Sequence, residues 1–310
     1  MTSLIHESTT ADDASDRLHG PGEHEKARTR QMRHIRLALL LPGILGLIVS
    51  FAFPLLYMAR MSFNAGEPNG VVEETFTLNM YIRSITDPYY WQVTVDTFLM
   101  GLVTGVLCVL VSYPIALFLT RTQSKWKGVL IALAIAPLLT SAVVRTFGWM
   151  IILGNGGLVN GTLMELGVID VPFELANNMI GVTIGLVEIF MPYAILTMMS
   201  GFGGVSQELE EAAGSLGASK VRAFLRVTLP LSLPGALTAF LLVFVLSIAT
   251  FVTPRLLGGG AVQVLATEIY DQTVGLINWP FAAALSMILL LVFGAVIAAY
   301  SALIRRIGVQ

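Results

Sequence analysis

The chain has 310 residues, of which 55% are hydrophobic and only 12% are charged, with a mean hydropathy of +0.77. Soluble domains carry about 25% charged residues, so this composition excludes an ordinary soluble protein and indicates a membrane protein. The net charge of −2 is uninformative, but the positions of the charges are not, and the single cysteine, Cys108, excludes a disulfide bond within the chain.

The chain divides into a polar N-terminal segment and an apolar remainder. Residues 1–34 are rich in Asp, Glu, His, Ser and Thr and lack apolar periodicity, which predicts a disordered cytoplasmic tail. Residues 35–310 contain six apolar segments, each close to the roughly 20 residues that a helix needs to cross a hydrocarbon core. The predicted spans are 37–58, 95–120, 129–153, 180–201, 235–256 and 281–304. We therefore predict an all-α membrane protein with six transmembrane helices in one bundle and a core at 91–304.

Lys and Arg residues are distributed unevenly among the predicted loops. Most of the 18 lie in the tail, in the loops after the second and fourth spans, and at the C-terminus. The loop after the third span, residues 154–179, has none. Because cytoplasmic loops carry an excess of Lys and Arg, we predict that both termini and the loop after the fourth span are cytoplasmic.

The cytoplasmic loop at 203–234 contains the string "SQELEEAAGSLGASKVRAFLRVTLP" between two apolar segments. The string predicts two short helices, with Ser206 and Ser219 as N-caps and Gly217 as the stop between them. Pro230 and Pro234 are predicted to end the second helix before the fifth span. Two helices that meet at a glycine form a compact knob, which suits a groove in a cytoplasmic partner. An amphipathic helix lying on the membrane is the alternative.

Residues 211–230, "EAAGSLGASKVRAFLRVTLP", resemble the EAA loop of ATP-binding-cassette importer permeases at its fixed spacing, with Val227 where the family usually has Ile. Less specifically, residues 36–306 resemble the inner-membrane permeases of polyamine importers and of their opine, aminoethylphosphonate and iron-type relatives. The strings that carry this likeness are "PLLTSAVVRTFGWMIILGNGGLVNG", "FVTPRLLGGG" and "INWPFAAALSMILLLV". Arg255 stands where we would expect a small residue.

The resemblance implies a type I importer permease of the bacterial inner membrane that works by alternating access. It also implies that the loop docks on an ATPase subunit. The implied coupling residues are Glu210, Glu211, Ala212, Ala213, Gly217, Ala218 and Ser219. The implied partners are a second permease forming a heterodimer, two ATP-binding-cassette ATPase subunits, a periplasmic solute-binding protein and membrane lipid, with no nucleic acid. ATP and Mg belong to the ATPase partners, so we expect no cofactor in this chain and no enzymatic activity of its own.

Motifs for bond chemistry are missing from the sequence. It has no Gly-x4-Gly-Lys-Ser/Thr string for ATP and no cluster of His and Cys for a metal. A secondary transporter or channel driven by an ion gradient is the alternative class. Such folds often carry paired broken helices in two repeated halves, and no convincing repeat is visible.

Arg145 and Glu188 lie deep inside predicted spans, whereas Asp96 lies at the outer mouth of the second span. Arg145 and Glu188 are each eight residues from the predicted outer end of a span, a depth of roughly 12 Å at a rise of about 1.5 Å per residue. At matched depth they could pair across neighbouring helices, either as a structural ion pair or as part of a solute path, because charges in a bilayer face a cavity or each other. The candidate residues for the solute path are Arg145, Trp149, Glu188, Tyr193, Phe251 and Thr253.

The charged residues also bear on the nature of the solute. A polyamine path needs acidic groups and aromatic faces, and Glu188, Glu268 and Asp271 supply the acidic groups. Arg145 and Arg255 would repel a polycation unless they are neutralised. The resemblance implies a polyamine such as putrescine or spermidine, and the two arginines keep open the alternative of an opine, aminoethylphosphonate or other amino-containing or anionic solute.

Overall fold

A computed structural model of the protein describes residues 23–203 and 205–307. In this part of the chain six helices are long and apolar enough to cross a membrane, as the sequence predicts. They are Leu40–Met61, Pro88–Arg121, Ala142–Glu165, Met179–Phe202, Lys220–Ala249 and Trp279–Ala302. Clustering of contacts divides the chain into two units, Met1–Met58 and Ala59–Gln310, and the second contains all the residues discussed as sites below.

The helices are numbered in chain order. They are α1 (Glu23–Met61), α2 (Asn79–Thr86), α3 (Pro88–Arg121), α4 (Lys127–Ile135), α5 (Ala142–Leu153), α6 (Leu158–Glu165), α7 (Met179–Phe202), α8 (Gln207–Ser215), α9 (Lys220–Ala223), α10 (Leu229–Ala249), α11 (Val252–Leu257), α12 (Leu265–Tyr270) and α13 (Trp279–Ile307). A two-stranded antiparallel hairpin, β1 (Ala65–Glu67) and β2 (Val71–Glu73), follows α1, with Ala65 opposite Glu73. Asn69 and Gly70 have positive φ in its three-residue loop, a conformation that glycine and asparagine adopt more readily than other residues.

The N-terminal tail differs from its prediction where the structure describes it. The predicted disordered segment, residues 1–34, lies outside the described residues as far as position 22. From Glu23 onward the chain is already in α1, so residues 23–34 are helical. The string "EHEKARTRQMRH" consists mostly of residues with favourable helix propensity. The prediction of disorder relied on the lack of apolar periodicity and did not take this propensity into account.

Three helices form the core of the second unit. α3, α7 and α10 pack against one another in all three pairs. The fully buried side chains that they share are Met100, Cys108, Val182, Leu186, Ala194, Met198, Ala239 and Val243. Near the coupling loop, α7 and α10 approach so closely that a Cβ on Gly201 would lie 2.6 Å from the Cα of Gly235. Small residues allow such backbone contact between membrane helices.

The third predicted span, residues 129–153, is not one continuous helix. α4 is followed by a 3₁₀ turn at Ala136–Leu139, and Thr140 and Ser141 are extended before α5 begins. Pro137 has no backbone N–H to continue the α-helical hydrogen bonds, and the α-helix gives way at this point to the 3₁₀ turn. The membrane-length element is therefore α5 with α6, over Ala142–Glu165, and α4 belongs to a shorter apolar helix.

The fifth predicted span, residues 235–256, is shifted along the chain. Pro230 and Pro234 do not end the second loop helix, because the chain continues from α9 through a wide π turn at Phe224–Thr228 directly into α10. A π turn accommodates an extra residue by i→i+5 hydrogen bonds, so the helix passes the prolines without stopping. At its other end α10 stops at Ala249, where Thr250 is extended, and the predicted remainder of the span forms α11.

Candidate coupling loop and intramembrane polar site

The loop between α7 and α10 folds as the predicted pair of capped helices. The Oγ of Ser206 accepts a hydrogen bond from the N–H of Glu208 at 3.1 Å, and the Oγ of Ser219 accepts one from Arg222 at 3.4 Å. Gly217 has φ +85°. The N–H of Ala218 bonds to the carbonyl of Ala213 at 3.0 Å, as in a Schellman motif with glycine at C′. The caps and the glycine stop are confirmed.

The tip of this loop exposes apolar side chains. Leu216 is 90% exposed and Val221 is 68% exposed, whereas Leu and Val side chains are more often buried. Beside them lies a cleft of about 460 Å³ whose walls include Glu211, Gly214 and Lys220. Leu216 was not among the predicted coupling residues. Its position next to the glycine stop, at the turn between two helices, is the sequence signal that would have found it.

Most of the predicted coupling residues lie at the surface. Glu211, Ala212, Gly217 and Ser219 are exposed, and Ala213 and Ala218 are partly so. Glu210 differs from them, because the guanidinium of Arg121 and the hydroxyl of Thr228 both hydrogen-bond to its carboxylate from inside the protein. Glu210 therefore ties the loop to the helices, whereas the other six residues form its outer surface.

Arg145 and Glu188 are paired, as their predicted depth suggested. The Nη1 of Arg145, on α5, lies 3.3 Å from the Oε1 of Glu188, on α7, and the indole N–H of Trp149 donates to the Oε2 of the same carboxylate at 3.4 Å. The side chains of Arg145 and Glu188 are 12% and 28% exposed. The Nε of Arg145 is buried and has no hydrogen-bond acceptor in the described part of the chain.

A third helix completes this polar site. The Oγ1 atoms of Thr146 and Thr253 lie 3.3 Å apart, which joins α5 to α11. Gly185 on α7 faces the same region, because a Cβ there would lie 3.3 Å from the Cγ2 of Thr253. The structure therefore brings Arg145, Trp149 and Glu188 into direct contact and places Thr253 beside the neighbouring residue, Thr146.

Two predicted path residues lie apart from this site. Tyr193 is 39% exposed and packs near Phe190, with ring centroids 6.3 Å apart. Phe251 packs against Tyr270 with ring centroids 4.6 Å apart and ring planes tilted by 32°, and the guanidinium of Arg255 lies 5.8 Å from the centroid of the same Tyr270 ring. No hydrogen bond or ring contact connects either residue to Glu188 in the described residues.

A second polar cluster lies at the end of the bundle opposite the coupling loop. The Nη1 of Arg255 pairs with the Oδ2 of Asp271 at 2.9 Å, and both side chains are about one third exposed. The carboxylate of Glu268, a residue only 5% exposed, accepts hydrogen bonds from the hydroxyl of Tyr89 and from the side-chain amide of Gln272, each at 2.9 Å. Both arginines that would repel a polycation thus have carboxylate partners.

Within 23–203 and 205–307, no group of three or more His, Cys, Asp or Glu side chains is placed as metal ligands would be.

Fold and loop together define a multi-pass α-helical membrane protein with an exposed loop of two short helices at one end of its bundle. The family model for the "Binding-protein-dependent transport system inner membrane component" matches residues 88–309. The spermidine/putrescine transport system permease protein PotB of Escherichia coli (strain K12) is 34% identical over 258 residues, which are 83% of this chain and 94% of that protein. PotB of Haemophilus influenzae is 30% identical over 254 residues, 82% of this chain and 88% of that protein.

A solved structure shows the same fold. The bacterial ABC transporter involved in the import of the acidic polysaccharide alginate has a chain that superposes with a TM-score of 0.75 at 15% identity, covering 91% of this chain and 99% of that one. At this identity the likeness is one of fold alone.

The chain belongs to the family of binding-protein-dependent transport system inner-membrane components. It is a permease subunit of a type I ATP-binding-cassette importer, located in the inner membrane with several spans. The resemblance inferred from residues 211–230 is thereby confirmed. The roles of the individual coupling and path residues stay predictions.

Proposed function

We propose that this chain is one of two permease subunits of an ATP-driven importer of polyamines such as putrescine and spermidine. A periplasmic binding protein delivers the solute to the end of the bundle opposite the coupling loop, and two ATPase subunits bind at the loop. Closure of the ATPases on ATP moves the loop and opens the path outward, and hydrolysis resets it. Both termini and the loop are cytoplasmic in this scheme, and the second permease is a related chain.

The exposed loop tip supports the coupling role. Leu216 and Val221 offer apolar contacts to a groove, and the small residues Ala212 and Gly217 allow close approach of a partner. Because an importer gains directed transport only if its partner binds the two conformations of the permease with different affinity, the contacts at this loop are where ATP binding acts. The membrane-surface helix is a weaker explanation, since the tip exposes its apolar side chains beyond a capped turn rather than along one face.

Two observations support a polyamine as the solute. The relatives above are named as spermidine/putrescine permeases, and within this chain both arginines that would repel a polycation are neutralised. Arg145 pairs with Glu188 and Arg255 pairs with Asp271, so neither arginine presents an uncompensated positive charge. Trp149 lies against Glu188, and an aromatic face beside a carboxylate suits an ammonium group. An incoming diamine can exchange with a guanidinium at such a carboxylate.

One observation favours the alternative solutes. The buried Nε of Arg145 has no acceptor among the described residues, and a buried donor without a partner costs free energy. A carboxylate or phosphonate on an opine, aminoethylphosphonate or related zwitterion would satisfy it while its amino group meets Glu188. Substrate competition is therefore part of the test.

The test is uptake by the whole importer in liposomes. The two permeases and the ATPase are reconstituted together, the binding protein is added outside, and radiolabelled spermidine is offered with ATP inside. We expect uptake that ionophores do not abolish and that ends when the ATP-binding lysine of the ATPase is replaced. Excess unlabelled putrescine should compete, and an opine or aminoethylphosphonate should not.

Three other outcomes would each correct one part of the proposal. Uptake that needs an ion gradient rather than ATP would contradict the ATP-driven mechanism. Competition by a zwitterion but not by putrescine would replace the solute. Full activity without a second permease gene product would make the permease pair a homodimer.

A further inference from the structure

The end of α3 is fastened to the coupling loop by an ion pair between residues that are 89 positions apart in the chain. Arg121 is the last residue of α3. Its Nη1 donates to the Oε2 of Glu210 at 3.0 Å, and its Nη2 donates to the Oε1 at 2.5 Å. Two parallel hydrogen bonds between charged groups fix orientation as well as distance, so this contact resists both rotation and sliding of the loop.

Thr228 joins the same carboxylate from the base of the fifth span. Its hydroxyl donates to the Oε1 of Glu210 and lies 3.4 Å from the Nη2 of Arg121. Thr228 is fully buried and is the last residue of the π turn that runs without interruption into α10. We call Arg121, Glu210 and Thr228 the clamp, because they connect the end of α3, α8 and the base of α10, which are far apart in the sequence.

The charged groups of the clamp are partly buried. The side chains of Arg121 and Glu210 are 28% and 22% exposed, and the pair is bidentate, whereas exposed single-contact pairs contribute little. Among the described side chains of α8, only that of Glu210 hydrogen-bonds to α3 or to the base of α10. The clamp is thus the polar route by which a force on α8 reaches the three-helix core.

We propose that Arg121 is a positioning residue for energy coupling: through the clamp it makes the coupling loop, α3 and α10 move as one body. This inference rests on the proposed function, since it concerns how the loop transmits ATPase movement. Without the clamp the loop still folds on its own caps and still docks, but it swings relative to α3. ATP is then hydrolysed without a matching movement of the spans.

The test compares uptake per ATP hydrolysed in the reconstituted whole importer. Arg121→Gln should assemble and hydrolyse ATP, while uptake per ATP falls about tenfold, within the range of effects for residues that couple two sites. Arg121→Lys keeps the charge but not the two-pronged geometry, so it should be intermediate. Exchange of the pair, Arg121→Glu with Glu210→Arg, should recover part of the loss, which general damage to the fold would not allow.

Lys125→Gln is the matched control, because Lys125 is an exposed cation in the same loop as the end of α3. It should couple as the wild type does. Wild-type uptake per ATP in both Arg121→Gln and Arg121→Lys would overturn the inference. If Arg121→Gln does not assemble, Arg121→Lys decides: reduced coupling supports the clamp, and unchanged coupling refutes it. Failure of the wild type to take up any solute with ATP would instead refute the proposed function.

Discussion

Arg145 and Glu188 are 43 positions apart in the chain and form an ion pair of 3.3 Å between α5 and α7. The pair lies within helices that cross the membrane, where an isolated charge is costly and charges usually face one another or a cavity. The carboxylate also receives the indole N–H of Trp149. The ion pair therefore connects two helices and also places polar atoms within the span, and the two roles can be tested separately.

The first prediction separates these two roles. Glu188→Gln and Arg145→Gln, made singly, should each lower the free energy of unfolding by about 1–3 kcal/mol, less than for a fully buried pair because both side chains keep some exposure. The double variant should recover much of this loss, since no charge is then left without a partner. Thermal unfolding of the purified complex in detergent measures all three variants, and strictly additive losses would show that the residues do not interact.

Uptake assays on the same double variant test whether the Arg145–Glu188 pair also lines the solute path. If the pair also lines the solute path, the double variant should be as stable as the wild type and still fail to transport. Normal transport by a stable double variant would leave the pair with a structural role alone.

A second prediction concerns the backbone contact between α7 and α10. Gly201→Ala places a Cβ 2.6 Å from the Cα of Gly235, and a backbone atom cannot yield as a flexible side chain can. We expect a loss of about 1–3 kcal/mol, as for other overpacked sites, seen as a lower melting temperature of the complex. Gly128→Ala is the control, because a Cβ there meets nothing within 4 Å; equal melting temperatures for the two variants would contradict the close packing.

The sequence predicted correctly those features of the loop that depend only on residues close together in the chain. Ser206, Ser219 and Gly217 perform their predicted roles, because an N-cap bond and a positive φ are decided within three or four residues. The predicted stop at Pro230 was wrong, since a proline rule does not foresee a π turn one step earlier. The interruption after Pro137 was missed because the third span was predicted from its apolar composition alone, without regard to the proline within it.

Pairings across the fold were harder to predict. The Arg145–Glu188 pair could be anticipated because charges are rare in apolar spans and the two residues had the same predicted depth. The Arg121–Glu210 pair could not, because many Lys, Arg and Glu residues lie in the loops predicted to be cytoplasmic and no single partner stands out. Only packing of the end of α3 against α8 selects one pair among them.

A third prediction concerns Arg255, which stands where the family resemblance leads us to expect a small residue. Arg255→Ala should change stability little, because the Arg255–Asp271 pair is about one third exposed and such pairs contribute at most about 1 kcal/mol. It should, however, free the carboxylate of Asp271 near the end where the solute is proposed to enter. We expect the apparent KM for a polyamine to fall by about two- to fivefold, most clearly at low salt.

The control for that prediction is Arg255→Ala combined with Asp271→Asn, which removes the carboxylate as well. The double variant should lose the gain in apparent KM. An apparent KM for polyamine that rises in Arg255→Ala alone would argue for an anionic or zwitterionic solute, because the guanidinium would then be attracting it.

The last prediction concerns the glycine at the turn of the coupling loop. Gly217 has φ +85°, a conformation that costs any residue with a Cβ about 1–2 kcal/mol, and Val, which is β-branched, fits it worst. Gly217→Val should therefore insert and assemble, yet shift α9 and the exposed Leu216 enough to lower solute-stimulated ATPase activity and uptake together. Gly214→Ala is the control, because Gly214 is helical and a Cβ there meets nothing within 4 Å. Activity of Gly217→Val equal to that of Gly214→Ala would show that the shape of this turn does not determine docking of the ATPase.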